Sequence, residues 1–216
     1  MPSPIPNRGR RSSGSSSPLL VLVRAIRSSW LAVHGLRKRR RLRLHSLSFG
    51  GDFPALRLII VPRHVERSDA IVRELAPLRI TRRSELPQQA DALLIDATGE
   101  LRDWYRLATV VFVGKSLPGI AQVGGQNAGE PAAIGVPVVF GPHMENFQAL
   151  TRHLLEKEAA VQISDAGKLT ETLRRLLSDA ALCQAIGARA RAVLEPHQGA
   201  TGRTAEKIQA SSRVAV

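Results

Sequence analysis

TVVFVGKSLPGIAQVGGQNAGEPAAIGVPVVFGPHMENF, residues 109–147, sets a Gly-rich loop and an acidic helix mouth between two apolar, β-branched runs. The runs, Thr109 to Val113 and Val136 to Phe140, each close on a glycine, Gly114 and Gly141, and read as parallel strands buried on both faces. Between them Gly114, Gly119, Gly124 and Gly125 let backbone approach a ligand closely, and Glu130-Pro131 opens a short helix that stops at Gly135. A helix start presents free N–H groups and a partial positive charge, which attract a phosphate by about 0.3–1 kcal/mol at an exposed site. A carboxylate at the same place can accept two hydrogen bonds from a ribose diol. The pattern therefore points to a nucleotide-sugar site. The same residues also satisfy a bare strand-to-helix turn in which Glu130 only complements the helix dipole.

From Leu56 onward strands and helices alternate, which predicts a single Rossmann-like open parallel α/β sheet. Further strands are expected at Leu56 to Val61, Ala92 to Ile95 and Ala160 to Ile163. Helices are expected at Val65 to Leu78, Gly99 to Ala108, Glu145 to Lys157, Asp165 to Ser178, Asp179 to Leu194 and Ala205 to Ala210. Asp165 is the expected N-cap of a helix whose Ala166, Leu169, Leu173 and Leu176 recur at helical spacing. Ligands of such sheets lie beyond the carboxyl ends of the strands, and three ends carry suitable groups. After the first, Pro62 stops the strand and Arg63 can grip a phosphate or carboxylate through two parallel bonds, an ion pair with Glu66 or Asp69 being its competing use. After Ile95, the Thr98-Gly99-Glu100 turn can receive a base or ribose through its backbone, helix capping by Thr98 or Asp96 being its competing use. Asn127 and Glu130 stand at the third.

Charge divides the chain. The 31 Lys and Arg against 18 Asp and Glu give a formal net charge of +13, which invites a nucleic-acid reading until the charges are located. Eleven of the basic residues and none of the acidic ones lie in residues 1–50, and removing those eleven leaves 20 against 18. Residues 1–50 are therefore expected to be a basic Pro/Ser/Arg-rich tail, and residues 53–212 the nearly neutral folded domain. Leu19 to Val23 is too short to span a bilayer, but Leu19 to Leu36 suits a basic helix on an anionic membrane surface with Trp30 at the interface. Arg37 to Arg43 suits any polyanion, and the acid-free composition also fits an organelle transit peptide or a start site placed too far upstream. A single cysteine, Cys183, excludes an internal disulfide. No His, Cys and carboxylate set has metal-ligand spacing, so neither a metal nor another cofactor is implied.

PRHVER at 62–67, TGEL at 98–101, FVGKSL at 112–117, GGQNAGEPAAIGVPVVFGPHMENF at 124–147 and GARA at 187–190 together resemble the C-terminal half of the 3-deoxy-D-manno-octulosonic acid (Kdo) transferases. The resemblance runs in order from about Phe53 to Thr204. It implies one domain of a two-domain GT-B glycosyltransferase of lipopolysaccharide core biosynthesis. Such an enzyme transfers Kdo from CMP-Kdo to a lipid A precursor at the cytoplasmic face of the inner membrane, and this half holds the donor. Carried over by motif, Pro62 and Arg63 contact the phosphate or the donor carboxylate, and Thr98, Gly99 and Glu100 line the nucleotide pocket. Asn127, Ala128, Gly129 and Glu130 cradle ribose and phosphate.

The departures shape the expectation as well. The family's general-base glutamate belongs to its N-terminal domain, so no catalytic residue is expected here and the isolated chain is expected to be inactive in transfer. The first strand and helix of the donor domain find no counterpart before Phe53. The loop LPGIAQV, residues 117–123, is about three residues longer than the family's, and Ala128-Gly129 replaces a Pro and aliphatic pair. The alternative is a non-catalytic, vestigial nucleotide-binding domain whose tail meets membranes or polyanions.

Overall fold

The computed structural model describes residues 20–25, 53, 56–76, 78–85, 90–119 and 124–197. Seven parallel strands, β1 (Leu20–Ala25), β2 (Arg57–Pro62), β3 (Ile80–Arg82), β4 (Ala92–Leu94), β5 (Val110–Val113), β6 (Val138–Phe140) and β7 (Val161–Gln162), form one sheet in the order β3-β4-β2-β1-β5-β6-β7. The described α-helices are α1 (Ser68–Glu74), α2 (Leu101–Leu107), α3 (Gly129–Ala133), α4 (Gln148–Glu156), α5 (Ala166–Ser178) and α6 (Ala180–Leu194). The expected open parallel α/β sheet is thus what forms, with helices following strands. β5 shows why its sequence is apolar throughout. Val110 and Phe112 pack with Leu169, Leu173 and Ile186 on one side, while Val111 packs with Tyr105 and Ile95 on the other, so neither face meets water.

β1 overturns one expectation. Leu20–Ala25 lies within the segment expected to be a tail or a membrane-surface helix, yet it fills the middle of the sheet. It runs parallel to β2, with Leu22 opposite Ile59, and parallel to β5, with Leu22 opposite Val111. The first strand of the fold is therefore present, and the domain begins before Phe53. LVLV is an apolar run rich in valine, and a central slot between two buried strands suits it better than an interface with lipid. The segment that would complete the first β-α unit, the remaining tail residues and the expected helix at Ala205 to Ala210 lie outside the described residues.

Two smaller differences follow from local chemistry. The helix expected from Val65 begins as a 3-10 turn, Val65–Arg67, and becomes α1 at Ser68. β3 has no counterpart in the sequence reading. It has three residues, of which only Thr81 is buried, and among the described strands it pairs with β4 alone, too short a run to show alternation.

The C-terminal helices are fixed by caps and by one close approach. Asp165 accepts a hydrogen bond from the Lys168 N–H at 3.0 Å and caps α5, as expected, while Asp179 accepts from Leu182 N–H at 2.8 Å and caps α6. The Ser164 hydroxyl, then the Lys168 N–H, hold the Asp165 carboxyl below its usual range. Its contribution is therefore present above the ordinary aspartate pKa and is lost as pH falls through the lower, folded value. Asp165→Ala is expected to lower the melting temperature by about 2–4 °C and Asp165→Asn by less, checked by thermal denaturation at neutral pH. Within α6, Cys183 is buried and its thiol donates to the Leu176 carbonyl at 3.0 Å; burial pushes its pKa up to about 11, so it is a packing residue rather than a nucleophile. Gly187 of α6 faces the end of α3 so closely that a Cβ there would lie 2.1 Å from the Gly135 carbonyl oxygen.

Candidate functional site

Strand order fixes where a ligand can lie. The chain moves from β1 to β2 on one side and returns with β5, β6 and β7 on the other, so the connections diverge at the carboxyl ends of β1 and β5 and open a crevice there. Val61, Arg24, Val113 and Phe140 are aligned in one row across β2, β1, β5 and β6. Arg63 and Lys115 each stand two residues beyond that row, and Gly141 stands one beyond it. The Gly-rich loop, Arg63 and the turn after β4 therefore share one rim of the sheet.

The loops after β5 and β6 are tied together from the backbone outward. Ser116 is fully buried; its hydroxyl donates to the Val113 carbonyl at 2.6 Å and accepts from the Gly141 N–H at 2.8 Å. Its carbonyl accepts from the His143 N–H at 2.9 Å. The Gly125 N–H donates to the Lys115 carbonyl at 3.0 Å, and the Asn146 N–H donates to the Gly124 carbonyl at 3.1 Å, so Asn146 crosses the loop. Gly124 and Gly125 have φ of 118° and 71°, and a Cβ on Gly125 would lie 2.3 Å from the Met144 sulfur. These glycines serve tight loop-on-loop packing. His143 Nδ1 lies 2.9 Å from Glu145, whose carboxyl is lowered by that contact first and by backbone hydrogen bonding second. Both belong to the loop rather than to a metal set.

At the helix mouth Asn127 joins two elements. Its carbonyl oxygen accepts from the Gly129 N–H at 2.9 Å, and its amide donates to Glu130 Oε1 at 2.9 Å. Glu130 is exposed, and Asn127 orients its carboxylate. Ala128 has no exposed surface and Gly129 is buried, so these two form the floor beneath Asn127 and Glu130. The Gly129 N–H already has Asn127 as its acceptor, so that helix-start donor is satisfied within the protein.

Pro62 is buried as the last residue of β2, and Arg63 beyond it is exposed. Of its two competing partners, Asp69 pairs with Arg82 instead. Among the described residues Arg63 makes no ion pair. The turn after β4 is used differently from expectation. Glu100 is half-buried and accepts from Arg83 Nε at 3.1 Å, from a second Arg83 nitrogen at 3.2 Å and from Trp104 Nε1 at 3.2 Å. Its carboxylate thus braces α2 against the segment after β3, leaving exposed Thr98 and Gly99 as the parts of the turn open to a ligand. Asp96 binds the Ser84 N–H and hydroxyl, so it does not cap α2. Lys115 is absent from the residues expected to bind. It is half-buried at the switch point with a φ of 62°, and the signal for it was the Gly-Lys-Ser that follows β5. Residues 120–123 of the long loop lie outside the described residues. Among the described residues no group of three or more His, Cys, Asp or Glu could hold a metal, and no helix is long and apolar enough to cross a membrane.

No protein-family model matches the chain. It is 37% identical over 158 residues to the 3-deoxy-D-manno-octulosonic acid transferase of Bordetella pertussis, a match covering 70% of this chain and 36% of that protein. The Haemophilus influenzae transferase of the same name is 32% identical over 163 residues, covering 73% of this chain and 38% of its own length. The chain therefore spans a little over a third of these curated relatives. Its structure is similar to the crystal structure of the C-terminal CMP-Kdo binding domain of WaaA from Acinetobacter baumannii, with a TM-score of 0.70 and 28% identity over 82% of this chain and 90% of that one. The C-terminal domain of a group 1 glycosyl transferase from Francisella tularensis, at a TM-score of 0.53 and 11% identity, shares the fold alone.

Proposed function

We infer a donor-binding role from one premise: the chain is homologous to the Kdo transferases and has the fold of their C-terminal GT-B domain. The proposed ligand is CMP-Kdo, and the proposed reaction of the whole enzyme is transfer of Kdo to a lipid A precursor during lipopolysaccharide core biosynthesis. That reaction places the protein at the cytoplasmic face of the inner membrane, in peripheral contact with it. The observation that carries the reading is the shared rim: Arg63, the Thr98-Gly99 turn and the Asn127-Glu130 pair follow the carboxyl ends of β2, β4 and β5, on either side of the point where the sheet order reverses.

Each residue then has a distinct task. Pro62 ends β2 and sets Arg63 on the rim, where its fork of donors suits the donor phosphate or carboxylate. Thr98 and Gly99 receive the base through backbone groups, and Glu100 holds that turn in place through Arg83 and Trp104. Asn127 orients Glu130, whose carboxylate accepts the ribose hydroxyls, and Ala128 and Gly129 support them from below. No residue of this chain is assigned as the general base.

Calorimetric titration with CMP tests the reading. The wild-type chain is expected to bind, and Arg63→Ala and Glu130→Ala are each expected to weaken binding about tenfold or more, since each removes hydrogen bonds to or from a charged group. Absence of heat from wild-type protein at millimolar CMP rejects the donor site.

A further inference from the structure

We propose that Lys115 is a donor-binding residue whose ammonium holds the phosphate of the bound nucleotide; the proposal rests on the donor-site reading above. Three independent observations place it there. Lys115 stands two residues beyond the aligned row at the end of β5, at the strand where the sheet order reverses. Arg63 stands equally far beyond the same row on β2, so the two cations flank the exit of β1 at about 10 Å, two strand spacings. No other described Lys or Arg lies within two residues of the carboxyl ends of β2 and β5.

The second observation is conformational. Lys115 has a φ of 62°, a left-handed conformation that glycine adopts freely and a long side chain does not. Its carbonyl is held by the Gly125 N–H, and its neighbour Ser116 is locked by three hydrogen bonds to Val113, Gly141 and His143, so the surroundings impose the conformation. A glycine would meet that demand at lower cost. Strain of this kind, kept in a ligand crevice, marks a side chain wanted for itself.

The third is the charge balance. Lys168 pairs with Glu171, and Arg67, Arg79, Arg82, Arg83 and Arg106 each pair with a carboxylate. Among the described residues Lys115 has no ion pair; Arg63, Arg73, Arg102, Lys157 and Arg175 have none either but are exposed, whereas Lys115 is half-buried. A partly desolvated ammonium without a protein carboxylate gains most from an anion supplied by the ligand. A lysine acts on a phosphate as a point charge, which complements the two-bond grip available to Arg63.

The test uses the full chain, CMP as the probe, and thermal denaturation in parallel. Lys115→Gly is expected to raise the melting temperature by about 2–4 °C, because it removes the left-handed strain, while weakening CMP binding about tenfold or more. Lys115→Met, which keeps the strain and removes the charge, is expected to weaken CMP binding as much without that rise. Unchanged CMP affinity in Lys115→Gly, with Arg63→Ala still weakening it, overturns this proposal alone. Failure of the wild-type chain to bind CMP overturns this proposal together with the donor-site reading.

Discussion

Replacing Gly187 with alanine is expected to destabilise the chain by about 2–4 kcal/mol and to lower its melting temperature by about 5–10 °C. Helix propensity alone gives the opposite sign, since alanine in a helix interior is favoured over glycine by about 1 kcal/mol. Packing decides between them. A Cβ on Gly187 would lie 2.1 Å from the Gly135 carbonyl oxygen and 3.0 Å from its carbonyl carbon. Both atoms are backbone, so no side-chain rotation relieves the contact. Moving α6 away would in turn open the packing of Ala190, Val193 and Leu194 with Ala132 and Leu154. Circular dichroism melts of wild type and Gly187→Ala check the sign, and a melting temperature at or above wild type would refute the close approach. Gly135→Ala is the useful companion. Its Cβ would meet Gly187 at 3.3 Å, a milder contact, and its φ of 79° adds only the left-handed cost of about 1–2 kcal/mol.

The α/β alternation was legible because β2, β5 and β6 are apolar runs closed by Pro or Gly and the two longest helices carry aspartate caps. Asp165 and the leucines of α5 behave as their spacing requires. β1 was not legible for a physical reason. Six residues of LVLVRA carry no usable period, so they fit a short buried strand or one stretch of an interfacial helix equally. The arginines around and after it tilt a composition-based reading toward a tail, while the decisive fact, that this run pairs with both β2 and β5 in the middle of the sheet, exists only in three dimensions.

The candidate rim divides in the same way. The rim positions of Arg63, Asn127 and Glu130 were legible because these residues sit immediately after strands or at a helix start, where local order already places a side chain on the rim. Glu100 was legible as a rim residue but not in its use. Its partner Arg83 is 17 residues away, after a strand too short to read. Lys115 was hidden by its surroundings. A Gly-rich loop draws attention to its glycines, and nothing in the letters of FVGKSL says that the lysine, rather than Gly114, takes the positive φ.

Gly141→Ala is expected to cost about 2–4 kcal/mol and to abolish measurable CMP binding, because one methyl group there separates the two loops that build the rim. The Cβ would lie 2.1 Å from the Ser116 carbonyl oxygen, 2.6 Å from its carbonyl carbon and 2.8 Å from Leu117 Cδ2. Gly141 is thus required for space. The loops cannot part cheaply, since Gly141 N–H is bound to Ser116 Oγ and the Ser116 carbonyl is bound to His143 N–H. Separating them leaves buried polar groups unpaired, at about 1–3 kcal/mol each. Any displacement of Ser116 is carried to Lys115 next to it, and through the Lys115 carbonyl to Gly125 and the approach to Asn127 and Glu130. Binding and stability should therefore fall together in Gly141→Ala, whereas Arg63→Ala, an exposed change, should lower CMP affinity and leave the melting temperature within about 1–2 °C of wild type. Melting curves and CMP titrations on the two variants separate the cases. A Gly141→Ala protein that melts like wild type and binds CMP normally would mean that the loops after β5 and β6 are not locked and that the rim is not built as described.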